Sequence, residues 1–165
     1  MKTHRISYGI LTTLLLSLML GLGGCNDDDD DDANPTPMEE IVMLKDATLS
    51  GTQEVPPNNS AATGTFKGQY NKDTKRLSYT ITFAGITPTA MHFHKGEAGM
   101  AGPVVVPINP GSNPYSSSNP FESPLSGTTP ALTAEQEADL LAGNWFLNVH
   151  SAEFPDGEIR AQITQ

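Results

Sequence analysis

The chain has one cysteine in 165 residues. No intramolecular disulfide can form, so the staple that many small secreted domains rely on is excluded. It also lacks a long hydrophobic run: the apolar stretch from Ile10 to Leu22 is too short for a stable membrane span. Basic residues are scarce, with 9 Lys and Arg against 19 Asp and Glu. Nowhere do they cluster with interleaved aromatics, and nucleic-acid binding is excluded on that ground. The chain has no Gly-x-Ser-x-Gly turn, no phosphate-cradling glycine loop and no reactive cysteine, so acyl and phosphoryl transfer find no machinery. His150 and Ser151 are adjacent, but neighbours on a strand point to opposite faces and do not pair as base and nucleophile. No repeat recurs at a fixed period.

What is present begins with a basic start (Lys2, His4, Arg5) and the apolar run, the pattern of a secretory signal over residues 1–24. It ends in Leu22-Gly23-Gly24-Cys25, which resembles the lipobox of bacterial lipoproteins. Cys25 is then expected to be the lipidated N-terminus, with the membrane as a partner through that lipid. Residues 25–37 follow as a tether: six consecutive aspartates and a proline-containing stretch repel themselves, bury nothing and stay solvated. Loss of Lys2 and Arg5 with the signal leaves 7 basic against 19 acidic side chains, a net charge of −12, half of it in the aspartate run. The expected address is the bacterial cell envelope, on the periplasmic face or the cell surface. Residues 38–165 suffice for one compact domain and not for two.

Within that domain the dominant period is two. In Arg76–Gly85, Leu77, Tyr79, Ile81 and Phe83 alternate with Ser78, Thr80 and Thr82, as in a half-buried strand. The preceding Thr63–Lys75 reads as a strand and a polar turn, making a hairpin with it. Further strands are expected in Ile41–Gly51, Ala90–Lys95, Pro103–Ile108, Asn144–Ser151 and Gly157–Thr164, with Pro107 confining its strand to a sheet edge. Between Asn109 and Pro130 lies a long Pro/Ser-rich connection with one short strand expected near Phe121–Leu125. The single helical segment is Leu132–Asn144, where Thr133 and Gln136 form a capping box and Gly143 stops the helix. Many short strands and one short helix predict an all-β antiparallel sandwich or barrel.

With the signal removed, three histidines remain: His92, His94 and His150. Residues two apart on a strand share a face, about 6.5–7 Å apart at Cα. Met91 and Phe93 are then expected in the core, with His92 and His94 outward or in a cleft. On the later strand Trp145, Leu147 and Val149 take one face, leaving Phe146, Asn148 and His150 on the other. Three imidazoles with an open position suit copper or zinc. Glu97 and Glu153 are the nearest carboxylates in sequence, and Met100 is a candidate soft ligand. A His-x-His pair also occurs without any ion, its imidazoles simply hydrogen-bonding the loops. Glu158 and Arg160, two apart, are expected to share a face as an exposed ion pair supporting the His150 loop.

Leu49–Pro57 (LSGTQEVPP), the AMHFH segment with its Gly/Ala loop and GPVVVPI, and LLAGNWFLNVHSAEFPDGEIRAQI together resemble the CHRD domain family, in order and over nearly the whole folded part. The resemblance implies a β-sandwich of immunoglobulin-like character and an extracytoplasmic location. It implies no established activity; in animals the chordin role is binding of signalling proteins. A further similarity is to Cu/Zn superoxide dismutase, a β-sandwich whose copper ligands include a His-x-His and a later histidine. This chain lacks that family's zinc-binding histidines and aspartate and its disulfide, which argues against dismutase activity. The expectation is therefore a lipid-anchored binding module whose His92, His94 and His150 hold copper or zinc. The alternatives are a metal-free protein-binding or structural module and, ranked last, a copper redox enzyme.

Overall fold

The computed structural model describes residues 38–111 and 113–165. The signal, Cys25 and the aspartate tether lie outside the described residues. The nine strands of the described part are β1 (Ile41–Met43), β2 (Ala47–Ser50), β3 (Thr63–Asn71), β4 (Arg76–Ala84), β5 (Pro88–Lys95), β6 (Val104–Ile108), β7 (Leu125–Thr128), β8 (Trp145–Ser151) and β9 (Ile159–Ile163); one α-helix, α1, spans Ala134–Leu141, and a single 3-10 turn spans Gly51–Gln53. All ladders are antiparallel and run in the order β6-β5-β8-β9-β2-β3-β4-β7, with β1 also on β3. The join between β9 and β2 is the single pair Ser50 and Arg160. There the sheet curls, and its two leaves face each other as an all-β, sandwich-like fold.

The core shows that closure. Phe93 of β5 meets Phe66 of β3 edge-on at 6.1 Å and Tyr79 of β4 at 5.2 Å, and also lies 5.9 Å from Trp145 of β8. Met91, Phe93, Trp145, Leu147, Val149, Ile159 and Ile163 from one leaf and Leu49, Phe66, Leu77 and Ile81 from the other are fully buried. Each such side chain contributes about 1.5–3 kcal/mol by leaving water. Period-two patterning thus fixes which face is core, and a slip by one residue would turn every histidine inward.

Local chemistry explains the boundaries. Thr133 accepts from the Gln136 amide while the Gln136 side chain accepts from the Thr133 amide, the reciprocal cap expected. Gly143 takes φ +79, and the amides of Gly143 and Asn144 close on Leu140 and Asp139. The Ile41–Gly51 strand is broken: at Lys45 the amide turns away to Thr164 O, so β1 and β2 are separate segments along β3. The strand expected near Phe121–Leu125 begins where that range ends, with Phe121 itself buried in the core. β6, with Pro107, is an edge strand.

Candidate metal centre

β5 and β8 are neighbours in register, His92 opposite Asn148, His94 opposite Phe146 and Ala90 opposite His150. All these side chains stand on the outer face of the first leaf, because Met91, Phe93, Leu147 and Val149 occupy the inner one. Ala90 carries only a methyl group, which leaves the diagonal from His92 to His150 open. The β5–β6 register shifts between Phe93 and His94, so Val105 is an extra residue beside His94. Such a bulge re-aims the adjacent side chain. The result joins the three predicted histidines: one ligand atom from each lies within 4.8 Å of the others. Nitrogens bound at about 2.0–2.1 Å to one ion are about 2.9–3.4 Å apart at bond angles near 90–110°, so the rings must draw closer for all three to share it.

The hydrogen bonds assign the nitrogens. His94 Nδ1 lies 3.0 Å from Gly102 O, and His150 Nδ1 lies 2.9 Å from Pro155 O. A carbonyl only accepts, so both Nδ1 atoms carry the proton and both Nε2 atoms present a lone pair. His92 Nδ1 is 3.0 Å from His150 Nε2 and, facing that lone pair, donates to it. His94 Nε2 is buried and has no hydrogen-bond partner. Metal-bound histidines characteristically donate their second nitrogen to a carbonyl, as His94 and His150 do here.

Burial disfavours the charged forms of His92 and His150. Burial first, then the neighbouring His150 and His94, push the pKa of His92 down to about 4. Burial also lowers His150, against the pull of the Pro155 carbonyl. Neutral imidazole is the ligating form. His94 stacks on Phe146 at 4.8 Å with ring planes 10° apart, and the Arg160 guanidinium lies 3.5 Å from the centre of the same ring. Since β5 and β9 flank β8 on opposite sides, Phe146 is held between His94 and Arg160.

The supporting pair differs from expectation. Glu158 and Arg160 are both buried and do not pair. Glu158 accepts from Ser60 Oγ at 2.6 Å, while Arg160 faces Phe146 and the carboxyl of Glu54. The reason is coverage: the segment from Gly51 to Ser60, anchored by Asn58 Nδ2 to the carbonyls of Gly157 and Glu158, shields what the strand pattern alone leaves exposed. Glu97, Glu153 and Met100 are exposed, and neither carboxylate joins the three-histidine group.

The family model of the CHRD domain matches residues 45–163. The chain belongs to the CHRD domain family. No curated protein and no solved structure matches it. The CHRD match encloses all three histidines and every strand from β2 to β9. Within this CHRD domain Phe146 stacks on His94, and Asn148 and Glu54 lie near the same face without touching the three imidazoles. Phe146 and Asn148 were legible as sharing the His150 face, but their contacts were not. Glu54, 6% exposed and with its pKa pushed up to about 7 by burial, reaches this face from a different loop and gives no periodic signal.

Proposed function

We propose that the protein is a lipid-anchored cell-envelope binding module that holds one copper or zinc ion on His92, His94 and His150. The observation that carries this reading is the buried, unpartnered Nε2 of His94 beside two further imidazoles. An orphaned buried nitrogen is costly, and an ion is a partner for it that no nearby protein donor replaces. Three imidazole nitrogens suit Cu(II) or Zn(II), and copper binds the more tightly where geometry does not discriminate. The ion would supply a Lewis-acidic site with an open position, and the chain's own residues fix the rings through Gly102, Pro155 and Phe146.

Titration with Cu(II) and Zn(II) tests the site. One equivalent is expected to bind to the wild type and to be weakened about a hundredfold or more in His92→Ala or His150→Ala; equal binding by all three proteins removes the reading. The anchor rests on the lipobox-like Leu22–Cys25, and Cys25→Ser is expected to release the protein from membranes. Retention of that variant in the membrane fraction would end the lipidation reading without touching the metal site.

A further inference from the structure

We propose that the groove between the Thr52–Pro57 segment and the Ala98–Gly99 turn binds a small monocarboxylate on Arg160. The groove encloses about 360 Å³, with Glu54, Val55, Ala98, Arg160 and Gln162 in its lining. Arg160 is 2% exposed, yet among the described residues no carboxylate lies within ion-pair distance of its guanidinium. Its Nη2 donates to Glu97 O and to Gln162 Oε1, both neutral acceptors and both at 3.3 Å. Its flat face is spent on Phe146.

A buried guanidinium without a counter-charge is costly, and buried charges are as a rule paired. The acid that faces it, Glu54, is not within ion-pair distance, and burial raises its carboxyl to about 7, so it offsets the guanidinium only in part at neutral pH. Its Oε1 is buried without a partner. Arg160 therefore lines the groove as a cation that is only partly offset. A carboxylate supplies the opposite charge and can accept a charge-assisted hydrogen bond from Nε or Nη1, which have no acceptor among the described residues, Nη2 being taken. A phosphate dianion would bring more charge than one guanidinium offsets. Val55, Pro57 and Ala98 form an apolar wall beside these donors, which fits a short aliphatic tail. The site is built without the three histidines and stands whether or not they hold an ion.

The test is a titration of the ¹⁵N-labelled full chain with sodium propionate at constant ionic strength, with propionamide as the uncharged isostere. Saturable amide shifts are expected at Thr52–Val55, Ala98 and Gly99 with propionate and not with propionamide. Arg160→Lys should weaken binding about tenfold or more, because one ammonium cannot both replace the Nη2 bonds to Glu97 and Gln162 and reach the carboxylate. Ala98→Phe, an exposed rim substitution that leaves the core untouched, should abolish saturation even if the arginine variant fails to fold. Shifts that do not saturate, that propionamide reproduces, or that persist in Ala98→Phe would overturn the proposal.

Discussion

His92 Nδ1 lies 3.0 Å from His150 Nε2, a contact that bridges β5 and β8. Two nitrogens bound to one ion at about 2.0–2.1 Å are about 2.9–3.4 Å apart for bond angles near 90–110°. The same spacing therefore serves a hydrogen bond without metal and a pair of ligands with it. The exchange requires the His92 proton to leave Nδ1 for Nε2, whereas Gly102 and Pro155 hold the protons of His94 and His150 in place.

Imidazole ¹⁵N spectra are expected to show that asymmetry. Without metal, all three histidines should be Nδ1–H tautomers. On addition of Zn(II), His92 alone should change to Nε2–H. A tautomer change at His94 or His150 instead would show that the carbonyls do not set the ligating nitrogens.

Phe146 is expected to act on the ion through His94. Phe146→Leu keeps an apolar side chain but removes the flat surface on which the imidazole stacks. Metal affinity should fall roughly tenfold, as for other residues that orient a ligand, and stability by about 1–2 kcal/mol from the smaller buried volume. Calorimetric titration alongside urea denaturation separates the two effects; an unchanged affinity would reduce Phe146 to a packing role.

The apo protein is expected to weaken in acid through His92. In the folded state His92 stays neutral down to about pH 4, whereas unfolded it takes a proton near 6.5. The unfolded chain then binds more protons between those values. Stability is accordingly full above about 6.5 and falls as the pH drops toward 4. Glu54 acts in the opposite sense, since its raised carboxyl binds a proton in the folded state and gains stability as the pH falls from about 7 toward 4.5. Comparing urea midpoints of wild type and His92→Gln over that range isolates the histidine. The variant should lose less stability than the wild type, and identical pH slopes would contradict the assignment.

These expectations rest on features of unequal visibility in the sequence. The alternation in Leu77–Phe83 and in Trp145–Val149, the Thr133–Gln136 box and Pro107 each carry a local physical signature, and the strands, helix and sheet edge follow them. The same alternation placed His92, His94 and His150 on one kind of face. It could not specify that β5 and β8 are neighbours, which is a property of the sheet order. Nor does a strand pattern record what a distant loop covers: Glu158 and Arg160 read as exposed because the Gly51–Ser60 segment that buries them lies about 100 residues earlier. The carbonyls of Gly102 and Pro155 have no side-chain signal at all, though they decide which nitrogen of each ring is free.

Electron paramagnetic resonance of the Cu(II)-loaded protein addresses the three-histidine site most directly. Superhyperfine structure from three equivalent-strength nitrogens is expected in the wild type, falling to two in His94→Ala. A spectrum with fewer than three nitrogen couplings in the wild type, or one that His94→Ala leaves unaltered, would contradict a shared ion on His92, His94 and His150.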